Sequence, residues 1–149
     1  MSLGALFHRV KRTTWSERLD LAEAVGALGV AALAIRIFPF KALAGAAGSV
    51  GQGREGDAED AAQTIGRVRW AIRASAPYLP WKVACFQEGL ALHSMLRRRG
   101  ISSFLHYGVG QSSDRGLTAH VWVTIEGKIL IGEEEARGHA CLATFPAAP

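Results

Sequence analysis

The 149 residues are 49% hydrophobic and 20% charged, which excludes an intrinsically disordered chain and predicts a single domain over residues 1–149. The formal net charge is only +4 and the basic residues are scattered without a nucleic-acid-binding motif, so we expect no nucleic-acid partner. The two cysteines lie far apart, and the chain has neither a CxxC motif nor a His/Cys cluster with zinc-ligand spacing. We therefore expect reduced thiols, a cytoplasmic location, and no metal or cofactor.

The N-terminal part of the chain predicts a helical segment over residues 16–43. Ser16 is expected to cap the helix, which should run to about Ile37 because Pro39 cannot continue it. Five glycines in residues 44–57 then indicate a flexible connection.

Residues 22–35 form the most apolar stretch, and they include many glycines and alanines. The uncharged part is shorter than the roughly 20 residues that a membrane span needs. A buried core helix is therefore the first interpretation. The alternative is a helix that lies on a membrane surface or on a membrane-bound partner.

Two further helices are predicted before the first strand. One covers residues 57–74, with acidic residues at its start and basic residues toward its end, as the helix dipole favours. The other follows Pro80 and carries Cys85 close to its start. Three arginines occupy its last turn, and Gly100 is expected at the position after the helix.

After Gly100 the hydrophobic period changes to two, which predicts strands. Glu126-Gly127 is typical of a two-residue hairpin turn. The predicted elements are strands over 103–109, 119–125 and 128–132, a polar loop over 111–118, and an edge strand within the tail 143–149. The fold class is therefore α+β, with N-terminal helices and a cysteine-bearing helix packed on a small antiparallel sheet.

Cys85 and His120 are the candidate nucleophile and base of a cysteine enzyme. A cysteine near a helix start has its thiolate stabilised by amide groups and by the helix dipole, although a cysteine on an apolar helix is often only a core residue. His120 begins a strand directly after a polar loop, and Trp122 shares its face of that strand. A helix-borne cysteine followed by a strand-borne histidine is the order found in papain-like and transglutaminase-like enzymes.

A third catalytic group is expected in the acidic run after the hairpin. Counting outward from the Glu126-Gly127 turn places His120 opposite Glu133, whose carboxylate could orient the imidazole. Glu134 is the next choice. The competing interpretation is an ordinary solvated acidic surface.

The remaining candidates are weaker. The backbone N–H of Cys85 should contribute to an oxyanion hole, whereas Trp81 is a less favoured donor and Gln87 is expected to point elsewhere. His106 is the second choice for the base.

Four other residues have non-catalytic interpretations. His93 is expected to be a satisfied core or groove residue, and Cys141 a packing residue. His8 and His139 are expected at the periphery.

Five segments resemble one known family: PWKVACFQEGLALHSMLRRRGI, FLHYGVG, AHVWVTIEGKILIGEEE, LATF and the N-terminal IRIFPFKALAGAAG. The chain is similar there to the leader peptidases of lasso-peptide biosynthesis, which are transglutaminase-like cysteine proteases. The resemblance implies Cys85 as nucleophile and His120 as base. It also implies a precursor peptide as substrate, a small leader-recognition protein or domain as partner, and a separate lasso cyclase that acts afterwards. Some relatives carry the recognition domain fused at the N-terminus; because this chain is short, we expect a separate recognition protein that works in trans. The family's third residue is an aspartate, and this chain has GEEE in that place.

These observations lead to one functional hypothesis with two alternatives. The hypothesis is a cysteine peptidase that removes the leader from a ribosomally made lasso-peptide precursor. The alternatives are a transglutaminase-like acyl transferase and a non-catalytic module that presents peptides.

Overall fold

The computed structural model describes residues 14–39, 42–43, 58–112, 114 and 116–146. The predicted α+β class is confirmed, since helices precede a four-stranded antiparallel sheet. The elements are α1 (Trp15–Ile37), α2 (Ala58–Ser75), a 3₁₀ turn (Ala76–Tyr78), α3 (Cys85–Arg98), β1 (Phe104–Ser112), β2 (Gly116–Ile125), β3 (Lys128–Ile131), α4 (Glu133–Ala136) and β4 (His139–Phe145).

Helix α1 begins with a capping box at Thr14. The Thr14 hydroxyl accepts a hydrogen bond from the Glu17 N–H at 3.3 Å, and the Glu17 carboxylate accepts one from the Thr14 N–H at 2.7 Å. The prediction of Ser16 as the cap was therefore wrong, because only Thr14 has a glutamate three residues later to complete the box. The helix ends at Ile37 as predicted, and the proposed connection 44–57 lies outside the described residues.

One face of α1 is buried and the others are not. The buried positions recur at helical spacing, at Asp20, Ala24, Leu28 and Ala31. The large apolar side chains that remain exposed on this helix are Trp15, Leu19, Val25, Val30, Leu33 and Ile37. The core-helix interpretation is thus confirmed for one face only. Among the described residues, no helix has the length and hydropathy needed to cross a bilayer.

An ion-pair network fixes α1 against the next two helices. The Asp20 side chain is only 5% exposed, and its carboxylate accepts hydrogen bonds from Arg67 of α2 at 2.6 Å and from Arg99 after α3 at 2.9 Å. Arg99 also pairs with Glu23 at 2.6 Å. Side-chain hydrogen bonding from Arg99 lowers the pKa of Glu23. The network therefore ties three segments together at one end of the helical layer.

Helix α3 packs closely on the sheet through a residue without a side chain. A Cβ atom added at Gly89 would lie 2.6 Å from Val121 Cγ1 and 3.1 Å from Leu105 Cδ1. This contact identifies the face of the sheet that the helix covers. The core between helices and sheet consists mainly of Ala24, Leu28, Val68, Ala71, Ile72, Leu92, Met95, Leu96, Leu105, Val121 and Val123.

The sheet has the strand order β3-β2-β1-β4. The predicted hairpin turn is confirmed, since Glu126 and Gly127 both have positive φ, at 48° and 77°. The C-terminal edge strand is present and pairs with β1, but it begins at His139 rather than near residue 143. Strands β1 and β2 extend into the segment predicted as loop 111–118, because their pairing continues to Ser112 and Gly116.

Candidate active site

Cys85 lies at the start of its helix, as predicted, and is the first residue of α3, because residues 81–84 after Pro80 are not helical. Gln87 stabilises this helix start, because its side-chain oxygen accepts hydrogen bonds from the Ala84 N–H and from the Trp81 indole N–H, each at 3.3 Å. The Trp81 donor is thus used at the helix start, and Gln87 points there, not toward the thiol. The Cys85 side chain is half-buried and is not in a disulfide. The first turn of a helix presents backbone amide groups and positive potential, which favour a thiolate.

A cavity of about 650 Å³ brings Cys85 and His120 together. Its size falls within the range of ligand-binding clefts in proteins. Helices α2 and α3, strand β2 and the β3–α4 segment contribute to its walls. The charged and ionisable residues that line it are Arg69, Arg73, Cys85, Glu88, His120, Glu133 and Glu134.

Gly132 allows the His120 ring to reach this cavity. Val121 faces α3, so strand alternation places His120 on the other face of β2, where it is only 6% exposed. Strand β3 ends at Ile131, and a Cβ atom added at the next residue, Gly132, would lie 2.7 Å from His120 Nε2. Gly132 also has a φ of +82°, which L side chains rarely adopt. The glycine therefore leaves the space that the imidazole fills.

Aromatic rings hold His120 on its other sides. The Trp122 ring lies nearly parallel to it, at 13° with the centroids 6.4 Å apart. Trp122 itself needs the bare backbone of Gly108, where an added Cβ would lie 2.7 Å from the indole ring. The ring of His139 lies 5.5 Å away, and its Nε2 is hydrogen-bonded to Thr118 Oγ1. The prediction that His139 is peripheral was wrong, because β4 returns along β1 and brings it beside His120.

The cross-strand pairing of His120 with Glu133 was also wrong. The predicted register holds for Ile125 with Lys128 and for Thr124 with Ile129, and then shifts by one residue. Strand β3 ends before Glu133, which starts the short helix α4 instead. The Glu133 side chain is 59% exposed and accepts a hydrogen bond from Arg137 at 3.0 Å. Glu133 and Glu134 still line the cavity, so an orienting role for either carboxylate stays a prediction.

The second-choice base, His106, belongs to a different site. Its two ring nitrogens are hydrogen-bonded to Thr124 at 2.7 Å and to Thr144 at 3.0 Å. Burial lowers the pKa of His106 below its usual 6.5. Cys141 Sγ lies 3.9 Å from its Nδ1, and this cysteine is exposed on the edge strand, so the prediction of a packing role was wrong.

The other two histidines have simpler outcomes. His93 is fully buried and hydrogen-bonded to Ser103 at 2.8 Å, as expected for a satisfied core histidine. His8 lies outside the described residues. Within the part of the chain that the structure describes, no group of three potential ligands could hold a metal ion.

Three cavity residues were not singled out from the sequence. Glu88 lies three residues after Cys85 on the same helix face, so helical spacing alone could have indicated it. Arg69 and Arg73 belong to the basic residues toward the end of the helix over 57–74, which the sequence explains by the helix dipole alone. Nothing in their spacing predicts that they line the same cavity as Cys85, because that depends on how the helices pack.

One of three comparisons with known proteins identifies a superfamily. A family model described as the transglutaminase-like superfamily matches residues 27–142, which include Cys85, His120 and every strand except the end of β4. A search of curated proteins gave no match, and a search of solved structures gave none either. Because the family model covers most of the chain, the protein belongs to the transglutaminase-like superfamily.

Proposed function

We propose that this protein is a cysteine peptidase that removes the leader from a ribosomally made lasso-peptide precursor. The observation that carries the peptidase part is the shared cavity of Cys85, at the start of α3, and His120, on β2. The leader peptide as substrate rests on the sequence resemblance. The recognition protein and the cyclase that acts afterwards rest on it as well.

In this mechanism the Cys85 thiolate attacks the carbonyl carbon of the scissile peptide bond. His120 holds the proton taken from the thiol and gives it to the amine as that amine leaves. Backbone amides at the start of α3 stabilise the oxyanion. Water, deprotonated by the same imidazole, then hydrolyses the thioester and restores the thiol.

The two ring nitrogens of His120 have separate tasks in this proposal. Nε2 faces Gly132, directly before the acidic run, so Nδ1 is assigned to exchange the proton with Cys85. A carboxylate of Glu133 or Glu134 would then hold the Nε2–H and fix the tautomer. Glu134 is the better placed of the two to do so, because Glu133 is held by Arg137.

The chain contains its own control for testing the nucleophile. Cys141 is more exposed than Cys85 and also lies near an imidazole, but it sits in a strand, not at a helix start. His106 cannot readily act as its base, since both ring nitrogens are hydrogen-bonded to threonines. We expect iodoacetamide to alkylate Cys85 at least about tenfold faster than Cys141 near neutral pH. Equal rates in peptide mapping would support the non-catalytic module.

Variants connect this reactivity to cleavage. Precursor and recognition protein should yield free leader with Cys141→Ala but not with Cys85→Ala. His120→Ala should slow the alkylation of Cys85, whereas His106→Ala serves as the matched histidine control. Cleavage that persists in Cys85→Ala would refute the assignment. The mass of the product distinguishes hydrolysis from acyl transfer, because transfer to an amine adds that amine in place of water.

A further inference from the structure

Two arginines of α2 face the cavity that contains Cys85. Arg69 and Arg73 are four residues apart, so they lie on one side of the helix, and both contribute to the cavity wall. Arg69 is half-buried and Arg73 is exposed. Their neighbour Arg67 points elsewhere and is held by Asp20. The helix therefore uses one arginine to bind α1, and the other two line the cavity of the candidate active site.

Neither Arg69 nor Arg73 makes a hydrogen bond or an ion pair with any residue that the structure describes. The acidic residues of the cavity, Glu88, Glu133 and Glu134, lie on its other walls. The cavity thus has a cationic side on α2 and an anionic side on α3 and α4. Arginine guanidinium groups bind carboxylates in a bidentate geometry, so two of them in the wall of the cavity that Cys85 lines can form a site for an anion.

We propose that Arg69 and Arg73 form a subsite for a carboxylate side chain of the peptide, so that the enzyme favours substrates with Asp or Glu close to the scissile bond. This inference rests on the proposed peptidase function. It adds a substrate class, acidic peptides, that the Cys85–His120 pair does not determine. The anionic wall on α4 would disfavour the same side chain there and so fix the direction in which the peptide lies.

Two alkylating reagents of similar size test the subsite without the natural substrate. Iodoacetate carries a carboxylate and iodoacetamide does not, and both lose iodide as the Cys85 thiolate forms a sulfur–carbon bond. The ratio of their rates cancels changes in thiolate content and reports the attraction of the anion. Measurement in a Cys141→Ser background restricts the signal to Cys85.

We expect Arg69→Gln with Arg73→Gln to lower the iodoacetate-to-iodoacetamide ratio about three- to tenfold, because two nearby cations are lost. High salt should lower the ratio in the unsubstituted protein in the same direction. The double variant Arg69→Lys with Arg73→Lys should keep most of the iodoacetate-to-iodoacetamide ratio of the unsubstituted protein, because both positive charges remain. Lys128→Gln is the matched control, since it removes an exposed cation at the hairpin, away from the cavity wall.

The outcomes separate this inference from the proposed function. If Cys85 reacts rapidly with iodoacetamide but the double glutamine variant has the same rate ratio as Lys128→Gln, the subsite is wrong and the nucleophile stands. If Cys85 reacts no faster than an ordinary thiol, the peptidase proposal fails. Replacing both arginines by glutamate should move the ratio further down than glutamine does, and a ratio above that of the glutamine variant would also contradict the subsite.

Discussion

Replacing Gly132 by alanine is expected to damage the candidate site and the stability of the fold together. The residue has a φ of +82°, and an added Cβ would lie 2.7 Å from His120 Nε2, 2.9 Å from the Val121 carbonyl oxygen and 3.0 Å from Trp122 Cβ. Two of these neighbours belong to the backbone or lie next to it, so they cannot move without shifting β2. The imidazole is the part that can move, and its displacement would take it away from the cavity.

The expected loss of stability in Gly132→Ala has two parts. The left-handed conformation costs an alanine about 1–2 kcal/mol. Forcing a methyl group into closely packed surroundings costs about 1–3 kcal/mol more. The free energy of unfolding should therefore fall by about 2–5 kcal/mol, which corresponds to a melting temperature lower by about 5–15 °C for a domain of this size.

Gly127→Ala separates the two parts. Gly127 has nearly the same φ, +77°, but nothing lies within 4 Å of an added Cβ. It should lose only the conformational part, about 1–2 kcal/mol, and keep the full alkylation rate of Cys85. Thermal denaturation measures the stability, and mass spectrometry after a short iodoacetamide pulse measures the thiol.

If Gly132 positions His120, Gly132→Ala should slow the alkylation of Cys85 by more than the loss of folded protein explains. If Gly132→Ala and Gly127→Ala had the same stability and the same alkylation rate, Gly132 would not position His120. A Gly132→Ala variant that is destabilised but alkylated normally would show that the His120 ring can move without changing the reactivity of Cys85.

Two further predictions concern stability. Asp20→Asn should lower the free energy of unfolding by about 3 kcal/mol in chemical denaturation, because it leaves Arg67 and Arg99 without a buried carboxylate. As a control, Glu133→Gln breaks an exposed ion pair and should change the free energy of unfolding by less than about 1 kcal/mol. Burial lowers the pKa of His106, so the folded state binds fewer protons than the unfolded state as the pH falls below 6.5. The stability that this histidine contributes is therefore present above pH 6.5 and is lost as the pH falls through its folded pKa. His106→Asn should flatten the decline of stability in that pH range, and an unchanged slope in pH-dependent denaturation would contradict the assignment.

Local patterns in the sequence were sufficient for most elements. The hairpin turn followed from Glu126-Gly127, because a two-residue turn with positive φ at both positions favours glycine at the second. The cysteine-bearing helix followed from Pro80 and from the helical spacing of apolar residues, although it starts at Cys85 and not directly after the proline. Even an error such as the Ser16 cap was small, since Thr14 lies only two residues away and has the same hydroxyl chemistry.

The sequence also determined the Cys85–His120 pair as candidates, because a cysteine near a helix start and a histidine on a strand are local features with recognisable chemistry; the structure extends that strand back to Gly116, so His120 does not begin it as predicted. Only the tertiary structure decided what surrounds them. The shift in register before Gly132 moved Glu133 out of the sheet, and the return of β4 brought His139 beside His120. The packing of α2 placed Arg69 and Arg73 in the wall of the cavity that Cys85 also lines. Each of these placements depends on contacts between residues far apart in the chain. The energies of such contacts cannot be predicted from a local pattern of residues.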